Sequence, residues 1–166
     1  MTALVYGRSL SYGFVRFDEQ KLADAVGRVD LAGIWTGLFL DWSRVAEGLS
    51  ALWRPTVSLA YLVAGWLGGG APWAFSLVSL VALVVLVWAA RRPIGKGQGR
   101  DLVLALIVFH PMTSAAVLDL SAMPSLLCAM CGVLAITHRG RAAFFWSVAA
   151  LGAHEAALVL PIMAIC

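Results

Sequence analysis

The sequence predicts an all-α integral membrane protein with about four membrane-crossing helices and an amphipathic interfacial helix in an outward-facing N-terminal region. Three observations lead there. Of the 166 residues, 61% are hydrophobic and only 13% charged, with mean hydropathy +0.89, whereas soluble domains carry about 25% charged residues. Residues 72–90, PWAFSLVSLVALVVLVWAA, form one apolar run without a charge. The basic residues gather in two short loops, RRPIGKGQGR and HRGR, the pattern that marks cytoplasmic connections.

The sequence divides into an outward-facing loop with its interfacial helix, residues 1–52, and a transmembrane helical region, residues 53–166. The N-terminus, MTALVYGRSLSYGFVR, has neither a long apolar stretch nor a small-residue cleavage site, so it does not read as a signal peptide. Aromatic residues beside arginines suit the membrane interface, up to VRFDEQK. From Leu31 to Leu52 apolar residues recur at steps of three and four, with Asp41, Arg44 and Glu47 between them. That is amphipathic helical periodicity, and its tryptophans point to a helix lying on the membrane surface.

Trp53-Arg54-Pro55 breaks this pattern. The apolar piece that follows reaches only to the Gly68–Gly70 run, short of the ~20 residues a span needs. It reads as re-entrant or strongly tilted. Pro72–Ala90 is the clearest crossing helix, and it runs into Arg91, Arg92, Lys96 and Arg100. DLVLALIVFHP then recrosses, MTSAAVLDLSAMP makes a turn with a short helix on the far side, and SLLCAMCGVLAIT returns to Arg139 and Arg141. AAFFWSVAALGAHEAALVLPIMAIC crosses outward once more. Both basic loops then share one side, and Arg54, His110 and His154 share the other.

The net charge of +3 forms no basic stripe with interleaved aromatics, which excludes a nucleic-acid partner. PIGKGQGR lacks the ending of a phosphate-binding loop and follows no strand. Cys128 and Cys131 have CxxC spacing, but on an apolar helix they read as two core residues rather than a redox pair, and no metal site is expected. A carboxylate inside a bilayer marks a functional site by default, which singles out Glu155 beside His154 in LGAHEAALVLP. Its structural alternative is a pair with His154, or with Arg54 across the bundle. The other polar features are Asp18 and Glu19 in FDE, Arg54 in WRP and His110 in FHP.

Their order carries a resemblance. VRFDEQ, then LWRPTVSLAYLVAGWLGGGAPWAF, then VFHPMTSAAVLDLSAMPSLL, then ALGAHEAALVLP is similar to the GT-C class of integral membrane glycosyltransferases. The closest likeness is to O-mannosyltransferase-like proteins that often carry tetratricopeptide repeats. It extends from about Phe14 to the C-terminus. The resemblance implies transfer of a sugar from a polyprenyl-phosphate donor on the outer face of a bacterial inner (plasma) membrane. It implies Asp18 as general base toward the acceptor, with Glu19 assisting it or helping to hold a divalent cation. It further implies Arg54, with His110 or His154, offsetting charge on the departing lipid phosphate, and Glu155 orienting a cationic or hydroxyl partner.

The chain also departs from that family. Ala115, Ala122 and Met123 stand where charged or glycine residues are usual, Ser125 replaces an aspartate, and His154 replaces a lysine. Such a chain reads as a piece, or a degenerate relative, of a longer enzyme. The alternative function is a non-catalytic membrane scaffold or accessory subunit of a larger membrane complex, with Trp35, Trp42 and Trp53 as interface anchors. An ion transporter built on Glu155 is disfavoured by the lack of a charged path or internal repeat.

Overall fold

A computed structural model describes residues 11, 13, 20, 23, 24, 26, 54–94, 97–119, 122–154 and 157. Every element of four or more consecutive described residues is an α-helix. They are α1 (Pro55–Gly68), α2 (Pro72–Ala90), α3 (Gln98–Phe109), α4 (Pro111–Leu118), α5 (Met123–Thr137) and α6 (Arg141–Leu151). The expected interfacial helix over 31–52 lies outside the described residues, as do Asp18, Glu19 and Glu155.

Proline starts and glycine or histidine stops explain the boundaries. Pro55 and Pro72 open α1 and α2, where the missing N–H costs nothing and the ring already fixes a helical φ. Gly69 closes α1 at φ 58°, its N–H donating to the Gly65 carbonyl, and Gly70 follows at φ 89°. Two successive left-handed residues turn the chain within three positions, so α2 runs back along α1. A left-handed backbone costs a residue with a Cβ about 1–2 kcal/mol. Gly69→Ala is therefore expected to lower stability by about that amount, read as a reduced unfolding midpoint in detergent.

Proline also separates α3 from α4. The ring of Pro111 disfavours a helical conformation for the residue before it, and His110 is accordingly extended at ψ 136°. Its carbonyl then accepts from the N–H groups of Thr113 and Ser114 as α4 begins. The Thr113 hydroxyl reaches back to the Ile107 carbonyl at 2.7 Å and ties the two helices together. At the end of α5, the His138 N–H and ring Nδ1 both lie against the Leu134 carbonyl, at 3.1 and 2.8 Å. Gly140, at φ 61°, reverses the chain into α6.

α2 is the central helix and packs on α1, α3, α4 and α5. Phe75, Leu83 and Met123 are among the most deeply buried side chains of the resulting core. Val26 reaches that core from the N-terminal region and sits where a side chain on Gly65 would have to go, its carbonyl oxygen 3.1 Å from that position. The outer face is equally apolar. Trp66 on α1, Val81 and Trp88 on α2, Leu102 and Leu106 on α3, and Phe144 and Phe145 on α6 are all exposed.

The described residues do not support the four expected crossings, the last of which continues outside them. Among the described residues, only α2 is long and apolar enough to cross a membrane, and half of it is buried inside the chain. At 1.5 Å per residue α2 extends about 28 Å, against about 21, 22 and 16 Å for α1, α5 and α6. The breaks that shorten these helices are Gly69, Gly140 and the turn at Gly152.

The contacts also give the directions of the described helices relative to one another. α1, read from sequence as re-entrant or strongly tilted, folds back on α2 through the Gly69–Gly70 turn and pairs antiparallel with it. α6 runs antiparallel to α5 and ends beside the start of α1, where the Thr56 N–H donates to the Gly152 carbonyl at 3.1 Å. α5 therefore starts at the end where α2 stops. Consistent with this, Leu86 near the end of α2 shares a cavity wall with Ser125 and Leu126 near the start of α5. The α3–α4 pair leaves from that end and comes back to it, so the short helix does not lie on the far side. One end of the bundle thus carries Arg54, Arg91, Arg92, Arg100 and His154, and the opposite end carries Arg139 and Arg141. The two basic loops therefore lie at opposite ends of the bundle.

Candidate functional site

Three of the six candidate site residues are described: Arg54, His110 and His154. Arg54 immediately precedes α1 and is half-buried, with its Nε withdrawn from the surface. Its backbone carbonyl accepts from the N–H and the hydroxyl of Ser58, at 2.9 and 3.1 Å, so the residue is fixed to the first turn of the helix. His154 is half-buried in the turn that leaves α6. Its N–H donates to the Ala150 carbonyl at 3.0 Å, and its own carbonyl accepts from the Ala157 N–H.

Thr56 joins these two segments. Besides its N–H bond to Gly152, its hydroxyl donates to the Ala149 carbonyl at 2.7 Å, across 93 positions of sequence. The first N–H groups of a helix and its last carbonyls have no partner within the helix. Here the start of α1 and the end of α6 satisfy one another. Gly152 makes the approach possible, since a Cβ there would lie 2.7 Å from the Thr56 hydroxyl and 3.1 Å from Pro55 Cγ. Arg54 and His154 each stand two positions from the Thr56–Gly152 bond.

His110 is not brought to this place. It sits at the break between α3 and α4 and is exposed. There it borders a mostly apolar cavity of about 440 Å³ walled by Leu86, Ile107, Thr113 and Val133. The break at Pro111 fixes that position, because α3 turns back before it reaches the opposite end.

Sequence reasoning assigned no role to Thr56 or Gly152. The available signal was a hydroxyl in the first turn after a helix-starting proline, together with a glycine just after an apolar helix. Arg100 and Asp101 make a 3.2 Å contact on the surface, worth little in stability because both groups are well hydrated. Arg92 places its guanidinium 4.9 Å from the centre of the Trp88 ring. Cys128 and Cys131 are free thiols, and no group of three or more metal-binding side chains occurs among the described residues. No protein-family model, curated protein or solved structure matches the chain.

Proposed function

We propose that the chain is a multi-pass protein of a bacterial inner membrane that transfers a sugar from a polyprenyl-phosphate donor, in the manner of the GT-C glycosyltransferases it resembles. The observation that carries this reading is the Thr56 clamp. It brings the Arg-Pro segment and the Gly-Ala-His segment, far apart in sequence, to one end of the bundle. Those are two of the stretches on which the resemblance rests.

The chemistry follows from the charges. An acceptor hydroxyl attacks the anomeric carbon, the bond from that carbon to the phosphate oxygen breaks, and the hydroxyl proton passes to Asp18. The departing lipid phosphate gains negative charge as the bond breaks. A fixed, partly desolvated guanidinium stabilises that charge more strongly than a fully hydrated one does. Arg54 fills this role, with His154 as a second donor beside it. Glu155 supports the basic groups, and Glu19 assists the base or helps to hold a divalent cation.

A transfer assay with polyprenyl-phosphate sugars tests the reading on the full chain. Asp18→Asn is expected to abolish transfer, since an amide cannot take the proton, and Glu155→Gln to reduce it. Full activity in both variants overturns the site assignment. A second reading, a scaffold subunit without catalysis, is favoured by α6, which packs chiefly on α5 and leaves Phe144, Phe145 and Val148 exposed. A stable parent with no transfer, purified together with partner membrane proteins, supports that second reading.

A further inference from the structure

α3 and α5 both pack on α2 but hardly on each other. Between them runs an apolar groove made of two cavities, of about 440 and about 140 Å³. Leu86 of α2, Thr113 of α4 and Ala129 of α5 line both, so the two adjoin. α3 supplies one wall through Val103, Leu106 and Ile107, and α5 the other through Ser125, Ala129 and Val133. Small side chains at Ala116, Ala122 and Ala129 leave space that larger ones would fill. The Thr113 hydroxyl is turned to the Ile107 carbonyl, so the walls offer little hydrogen bonding. The larger cavity alone is of the size that small-molecule sites occupy, roughly 300–1,000 Å³.

The groove is long and narrow. From Ser125 to Val133 its α5 wall extends about 12 Å. A helix of that length is about 10 Å across and occupies roughly 900 Å³, more than the two cavities hold together. A single extended chain fits where a helix does not. Val103, Leu106 and Ala129 are exposed, so the groove opens sideways along its length. Leu102 and Phe109 of α3 extend the apolar surface outside it.

The two ends of the groove differ in charge. Arg100, Val103, Ile107 and His110 recur at steps of three and four and so share one face of α3. Arg100 therefore stands one turn beyond the lining, at the end where Ser125 lies in the first turn of α5. Its Nε contacts the exposed Asp101 at 3.2 Å. Arg91 and Arg92 lie at the same end, where the acidic groups of the adjoining connections are Asp101 and Asp119. Three permanent cations against two carboxylates suit that end to an anion. At the other end the lining closes with His110 and Val133, and Arg139 lies beyond the stop of α5. α2, the one described helix long enough to cross a membrane, ends at Arg91. Arginines at the end of a crossing helix reach the interface, which puts the Arg100 end of the groove at headgroup depth.

We propose that this groove holds one acyl chain of an anionic phospholipid, with the lipid phosphate at the Arg100 end. The chain lies along α5 against Leu86, and the Ser125 hydroxyl is a donor to the headgroup beside the Arg100 guanidinium. The second acyl chain stays in the bilayer, and the open side of the groove lets the two diverge. No residue of this site takes part in the Thr56 clamp. The inference rests on the membrane part of the proposal above, which puts such lipids within reach, and not on sugar transfer.

Phosphatidylglycerol and phosphatidylcholine, each with a diazirine in one acyl chain, test the inference on the full chain in detergent. Irradiation is expected to label the α3 and α5 peptides that line the groove, with phosphatidylglycerol labelling more than phosphatidylcholine. Ala129→Phe fills the junction of the two cavities and is expected to abolish that labelling. Val103→Phe narrows the groove from the opposite wall and gives the same readout if Ala129→Phe does not fold. Arg100→Gln is expected to lower the preference for phosphatidylglycerol about fivefold, the effect of one arginine at an anionic lipid surface. Labelling spread evenly over the exposed helices and unchanged by either phenylalanine overturns the site. Equal labelling by the two lipids overturns the headgroup assignment. Displacement of the probe by palmitate or a polyprenyl phosphate more readily than by unlabelled phosphatidylglycerol overturns the phospholipid as occupant. A parent that transfers sugar without groove labelling overturns this inference alone, and one labelled in the groove without transfer supports it while overturning the sugar-transfer reading. Release of the chain from membranes by alkaline carbonate overturns the inference and the membrane proposal together.

Discussion

Gly152→Val is expected to release the end of α6 from the start of α1. Even the first carbon of the new side chain falls 2.7 Å from the Thr56 hydroxyl oxygen, and Pro55 blocks retreat on one side. Either α1 moves or the Gly152 turn does, and in both cases the Thr56–Gly152 bond is stretched. Overpacking costs about 1–3 kcal/mol. Loss of partners for part-buried backbone groups adds about 1–3 kcal/mol. The variant should show a clearly lower thermal unfolding midpoint in detergent. Thr56→Val keeps the shape and removes only the hydroxyl bond to Ala149, so a loss of about 1 kcal/mol is expected. Because the two side chains share one contact, the double variant should lose less than the sum of the singles. Strict additivity would show that the clamp contributes no coupling.

On the proposed sugar-transfer function, Arg54→Ala is expected to lower kcat by about 10²–10³-fold, the range seen when one group that stabilises developing negative charge is removed. The effect should fall on kcat more than on KM, because the phosphate gains its charge as the glycosidic bond breaks. Arg54→Lys restores a cation without the planar fork of donors and should recover part of the rate. The backbone role of Arg54 toward Ser58 survives both substitutions, so unfolding midpoints separate chemistry from folding. Equal activity in Arg54→Ala and the parent would remove Arg54 from the site.

Much of the helical pattern was legible in the sequence. Proline at 55 and 72 and glycine at 68–70 bounded the first two helices, and the His-Pro step with a short helix after it is present. Apolar periodicity does not reveal which helices traverse the bundle, and here reading and structure diverged. A 14-residue helix and a 12-residue helix are equally short for a bilayer. Only the turn chemistry that follows each one decides its path. Two left-handed glycines fold α1 tightly onto α2, whereas His110–Pro111 turns α3 back partway. Of the candidate site, the proximity of the Arg54 and His154 segments depends on Thr56 and Gly152, small residues with no distinctive chemistry when read alone.

The Thr56 clamp also bears on the order in which the chain is assembled. Its hydroxyl bond spans 93 positions, and contacts of such separation form late because a long loop must close first. α1 and α2 can pair as soon as the glycine turn has been made, since their partners are local. The first turn of α1 must wait until α6 has been synthesised and has docked. Until then its amide donors remain open to water or to other chains. Maturation of the Arg54 end thus waits on α6, and mutations in α6 should slow it without altering the early hairpin.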